Sequence, residues 1–243
     1  MQRKIAPATL LLIVAGMANA SVTTSTFIAD GTSSGGQAVD AKAVFTFNNM
    51  SDMLTVVLTN LLPNPTSSAQ DITDFDFQIH ASEGAVSCNS NCLSNAATLI
   101  GTLTVNSGGS YTVNSANTSP GWGVTHGSGG FALNAVSGTN SIIGPWGSGG
   151  YTNANSTITG HTMINQSAEW VFLLAGLPNN SGQAVTLSNV VFSFGTTTGD
   201  TLTAIDPPSP GAPVGTPEPL PFVLAGTGLI GIYFLRRLHP GPR

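Results

Sequence analysis

The sequence predicts an all-β fold, a two-sheet β-sandwich or jelly-roll-like domain, with an N-terminal signal peptide and a short C-terminal transmembrane helix. Three observations lead there. Short runs of β-branched and aromatic residues recur between clusters of Gly, Asn, Ser and Pro, the pattern of strands joined by tight turns. Several runs alternate apolar and polar side chains with period two, and no segment before the C-terminal tail carries a helical period with caps. Only 7% of the 243 residues are charged while 41% are hydrophobic, so the chain can build a core and lacks the compositional signature of disorder.

Residues 1–20 read as a secretory signal. Arg3 and Lys4 form the basic start, residues 10–15 the apolar core, and Ala18-Asn19-Ala20 a small-x-small cleavage site. Signal peptidase would cut there and leave Ser21 as the new N-terminus.

Residues 21–205 are one domain's worth of chain. Residues 44–47 and 53–59 read as strands joined by a turn at 48–52. Residues 72–79 alternate clearly, with Phe75, Phe77 and Ile79 on one face and Asp74, Asp76 and Gln78 on the other. Later strand candidates are residues 97–105, 130–136, 156–164, 170–174 and 185–194. Many short strands without helices point to two packed sheets. One internal echo, Gly127-Ser128-Gly129-Gly130 against Gly147-Ser148-Gly149-Gly150, fits two similar hairpins. It is too short for a solenoid, which needs three or more repeats.

From Ser21 to Thr216 there are ten acids against the single base Lys42, a net charge of −9 with His neutral. Such a surface has no basic patch for phosphates, which excludes nucleic acid as a partner and disfavours anionic lipids and acidic polysaccharides.

Residues 206–219 carry six prolines and form an extended spacer, because proline fixes φ and lacks an N–H. Residues 220–235 are uncharged and mostly apolar, and Arg236 and Arg237 follow at once. A helix of that length reaches about 24 Å, a marginal membrane span with the basic tail, residues 236–243, on the cytoplasmic side. Pro217-Glu218-Pro219, the short apolar helix and Arg236-Arg237 closely resemble the PEP-CTERM sorting signal over roughly the last 28 residues. The resemblance implies recognition by an exosortase, a membrane enzyme acting near Pro217-Glu218-Pro219, in a host that makes exopolysaccharide. Pro221 inside the apolar run and the extension from His239 to Arg243 depart from the pattern. Residues 194–196, Phe-Gly-Thr, also look like the last strand of such proteins.

Cys88 and Cys92, the only cysteines, read as a structural disulfide in an exported chain. Gly31-Thr32-Ser33-Ser34-Gly35 matches the nucleophile-elbow string but sits in a Gly/Ser turn with neither the strand nor the helix that motif needs. The glycines at 226, 228 and 231 match a dinucleotide fingerprint inside the apolar tail, where no strand precedes them. Asp71, Asp74 and Asp76, with Glu83, could offer oxygens to calcium, but their spacing is not that of an EF-hand and a solvated strand face is the favoured reading; His80, His126 and His161 lack the spacing of a zinc site. Neither metal nor cofactor is expected. Glu83 and Glu169 are too isolated in sequence to define a sugar-hydrolysing pair. Trp122, Trp146 and Tyr151 lie in Gly-rich loops, where they either stack on sugar rings or plug the ends of the sandwich.

These readings describe a non-enzymatic structural or adhesive protein of the cell surface or extracellular matrix. It would be anchored first in the inner membrane through its C-terminal helix and then sorted outward, with exopolysaccharide as a candidate partner. The alternatives are a carbohydrate-binding module using the loop aromatics and a β-sandwich glycoside hydrolase.

Overall fold

Alternation along the chain becomes two faces in space. In the computed structural model the described residues are 22–48, 51–62, 67–81, 86–88, 92–127, 130–135, 142–144, 151, 159–175, 185–195 and 200–205. The signal peptide, the Pro-rich spacer, the apolar tail and its arginines, and Trp146 lie outside them. Contacts divide the chain after Ile205.

Thirteen strands are present among the described residues: β1 (Val22–Thr32), β2 (Ala38–Asn48), β3 (Met53–Asn60), β4 (Ile72–Ala81), β5 (Leu93–Thr98), β6 (Thr102–Val105), β7 (Tyr111–Asn114), β8 (Gly123–His126), β9 (Gly130–Asn134), β10 (Thr162–Ile164), β11 (Ser167–Leu173), β12 (Val185–Phe194) and β13 (Asp200–Thr203). One five-stranded sheet runs β1-β2-β3-β11-β5 and another β13-β12-β4-β9-β8. A smaller sheet runs β10-β6-β7. All strand pairs are antiparallel.

The two large sheets face each other through aromatic rings. Phe45 on β2 lies 5.0 Å from Phe77 on β4, and Trp170 on β11 lies 5.0 Å from Trp122 before β8. Strict alternation on β2 and β3 buries every second residue, as a sheet with one core face requires. This all-β antiparallel arrangement is consistent with a β-sandwich.

The structure corrects several sequence boundaries. Residues 97–105 are two strands, because Gly101 turns the chain with φ +91° and a side chain there would run into the Asn114 carbonyl. Residues 31–35 do have a strand before them, since Gly31 and Thr32 end β1; a second strand, β2, follows, so the helix that a nucleophile elbow needs is absent. Of residues 156–164 only 159–164 are described, and β10 occupies the last three. A 3-10 turn at Ser68–Gln70 is capped by Ser67, whose hydroxyl accepts from Ala69 N while the Gln70 carboxamide accepts from Ser67 N.

Candidate functional site

The outer face of the β13-β12-β4-β9-β8 sheet carries a groove of about 370 Å³. Its shape comes from register. Asp76 on β4 sits between Ala132 on β9 and Val191 on β12, and Gln78 sits beside Gly130. These small neighbours sink the middle of the face, while Asp76, Gln78, Thr125, His126 and Asn189 line the opening. A register shift on β12 between Ser188 and Val191 places Asn189 at φ 50°, a left-handed conformation asparagine tolerates better than most residues. Such a bulge re-aims a side chain. Here Asn189 Nδ2 donates to Gln78 Oε1 at 2.8 Å. One position along, His80 Nε2 and Ser188 Oγ lie 2.8 Å apart.

The electrostatics are acidic and partly suppressed. Burial raises the Asp76 carboxyl. Burial, and then the Asp76 charge, push Asp74 up to about 6. Asp74 is 7% exposed and its Oδ1 has no hydrogen-bond partner among the described residues. Chemically, the groove offers a carboxyl, a carboxamide, a hydroxyl and an imidazole around an Ala/Val floor. That set suits hydrogen bonding to a neutral polar ligand. Among the described residues no group of three His, Cys, Asp or Glu could hold a metal ion.

A second polar cluster is sealed inside the fold. Asp71 is fully buried, and its Oδ2 accepts from the Tyr151 hydroxyl at 2.5 Å. Met163 Sδ is 3.4 Å from the same hydroxyl, and the Tyr111 ring meets the Tyr151 ring edge-on at 5.7 Å. Burial drives the Asp71 carboxyl well above its ordinary range, against the opposing pull of the Tyr151 hydrogen bond. Burial and the Asp71 charge push Tyr111 up to about 12. Tyr151 is raised for the same two reasons.

The sequence-predicted site residues fall in different places. Cys88 and Cys92 form a disulfide with Cα atoms 5.2 Å apart. Trp122 is buried against Trp170, and Tyr151 is 2% exposed and bonded to Asp71, so neither ring offers a face to a sugar. They fill the interior, the other role considered for loop aromatics. Glu169 stands on β11, in the opposite sheet from the groove, while Glu83 lies outside the described residues. Asp74 and Asp76 do share the outer face, but Asp71 belongs to the buried cluster. Asn189 escaped the sequence reading, His126 was weighed there only for zinc, and the pairing of Asp71 with Tyr151 was not foreseen. Parity was the available signal for Asp71, which shares odd numbering with Phe75, Phe77 and Ile79.

The fold and its groove define an antiparallel all-β protein with a surface cleft of mixed polar and apolar lining. Comparison with protein-family profiles, curated proteins and solved structures returns no match for the chain.

Proposed function

We propose that this is an exported structural or adhesive protein of the cell surface or extracellular matrix, built as a jelly-roll-like sandwich and sorted by an exosortase. One observation carries the reading: Pro217-Glu218-Pro219, an apolar run and Arg236-Arg237 follow a low-charge β domain in that order. The Cys88–Cys92 disulfide supports it, because such bonds persist in oxidising compartments. The tail's apolar run would hold the precursor in the inner membrane until processing near the Pro-Glu-Pro motif. The test is intact mass and fractionation from the native host, with and without its exosortase. A species starting at Ser21 and cut near Pro217, found outside the inner membrane only when the exosortase is present, is the expected result. A species ending at Arg243 in the inner membrane of both strains would rule sorting out.

The groove favours a second reading, a carbohydrate-binding module whose contacts come from Asp76, Gln78 and His126 rather than from loop aromatics. Polysaccharide pull-down by the full chain would then be lost in Gln78→Ala. Equal retention by both forms removes this reading.

A further inference from the structure

The two large sheets have edges on the same side of the molecule, β1 and β13. Ile28 N donates to Ile205 O at 3.1 Å, and Ile205 N donates to Ile28 O at 2.9 Å. Ser34 N also donates to Thr201 O at 3.0 Å. β13 and the residues just after it therefore close the β1 edge from residue 34 back to residue 28. In an antiparallel strand, alternate residues present N–H and C=O to the same side. Because Ile28 faces away from β2, Val22, Thr24 and Thr26 face away too. None of them has a partner on that side among the described residues. Val22 is 57% exposed.

Extending the ladder two residues from the Ile28–Ile205 pair would set Pro207 against Thr26, and proline has no N–H to donate. The other edges are guarded. β5 lies against a register shift on β11, and its end is taken by Thr98 N donating to Thr118 O at 2.8 Å. β7, β8 and β13 have four residues each and β10 three. β1 has eleven, in unbroken register with β2, with neither a charge nor a proline from residue 22 through residue 29. Long, flat, uncharged edges are templates for strand addition.

We propose that the open half of β1, Val22 to Phe27, pairs with the same half of a second copy of this chain, antiparallel about a two-fold axis at Thr24. The occupant follows from the sequence. Val22 of one copy meets Thr26 of the other and Thr24 meets Thr24, so all three outward-facing residues form hydrogen-bonded pairs. The strand is self-complementary because it carries no charge, although each domain is acidic overall. Two five-stranded sheets become one continuous sheet across the axis. The pairing goes beyond the proposed function and holds whether or not the tail is sorted.

The test is sedimentation equilibrium of the full chain in density-matched detergent. At about 100 μM a contact with Kd of about 1 μM is nearly saturated, and a dimer is expected. Thr24→Lys sets like charges against each other across the axis, and such a juxtaposition at an interface should raise the dissociation constant at least about tenfold. Thr24→Glu should behave the same, and mixing the two variants should restore a dimer. A monomeric wild-type chain, or a folded Thr24→Lys variant that dimerises as before, overturns the proposal. If the charged variants do not fold, Thr24→Cys decides. Hydrogen-bonded partners lie about 5.5 Å apart, within disulfide range. Mild oxidation should cross-link Thr24→Cys and leave Val113→Cys, at an exposed site on β7, uncoupled. Equal cross-linking of both, or of neither, overturns it.

Discussion

Phe45 and Tyr151 occupy two cores that keep themselves dry in different ways. Phe45 is fully buried and meets Phe27, Phe75 and Phe77, with ring centroids 5.0 to 5.9 Å away. Phe77 passes the contact to Phe131 at 5.1 Å, and Phe131 to Phe172 at 5.7 Å. That chain of rings crosses between the large sheets twice and contains no polar atom. Tyr151 belongs to a cluster of Leu103, Val105 and Met163 beneath the β10-β6-β7 sheet. Four buried residues are too few to hold three short strands by area alone. Ile143 supplies the backbone link instead, bonding Ile72 on one side, while its neighbours Ile142 and Gly144 bond Ile164 on the other. The Asp71–Tyr151 hydrogen bond adds a polar clamp. The difference teaches that one region is held by redundant apolar contact and the other by a few specific bonds. Redundant cores fail globally; specific bonds fail locally.

The largest effect should come from Phe45→Ala. Removing a ring in contact with both sheets should cost about 3–5 kcal/mol, the range for a buried aromatic truncated to alanine. Urea unfolding should show one transition at a lower midpoint, with the small sheet lost at the same denaturant concentration. If the small sheet survives past that transition, the two regions are independent units and the comparison must be redrawn.

Tyr151→Phe should cost less, about 1–3 kcal/mol, because it leaves a buried carboxyl without its donor. Hydrogen exchange should show lost protection at Leu103, Val105 and Ile164, with Phe45 and Phe77 amides unchanged. Uniform loss across both cores would mean that the clamp supports the whole fold.

Acidity sharpens the same contrast. Asp74 is raised from its ordinary 3.8 to about 6, so the folded state holds this proton more tightly than the unfolded chain does. Its contribution to stability is therefore full below about pH 4 and is lost as pH rises through about 6. After solvent screening the change is about 1–2 kcal/mol. Asp71 is shifted in the same direction and extends the loss to higher pH. Thermal midpoints should fall between pH 4 and pH 7, and Asp74→Asn should flatten the lower part of that curve while leaving the Asp71 part. A midpoint that rises over this window would contradict the burial of both carboxyls.

Much of the large core was legible because period two survives in the letters. Phe75, Phe77 and Ile79 point inward and Asp76 and Gln78 outward, as alternation required. β1 was not legible. Its Thr, Ser and Gly residues lack an apolar stripe, and only Phe27 and Ala29 are buried. β7 and β8 were missed for a similar reason, since four residues are too short to display a period. The groove was half legible. Asp76 and Gln78 could be assigned to a solvent face, but Asn189 reaches Gln78 only through a bulge, which sequence does not announce. Trp122 and Tyr151 show the converse difficulty, because Gly-rich surroundings do not reveal whether an aromatic ring turns in or out.

The smallest effect should come from removing the disulfide. Cys88→Ser with Cys92→Ser opens a loop whose ends are four residues apart. By the chain-entropy argument so short a loop restrains the unfolded state little, and the loss should be about 2 kcal/mol or less. The bond also sits at one end of the large sheets. Leu173 N donates to Cys92 O at 2.8 Å, and Ser87 and Ala175 exchange two hydrogen bonds of 2.9 Å. Loosening should therefore stay within residues 86–93 and the neighbouring end of β11, leaving Leu103, Val105 and Ile164 protected. Exchange measured on the double variant checks this. Lost protection in the β10-β6-β7 sheet would mean that the disulfide loop and the clamp open together rather than each failing locally.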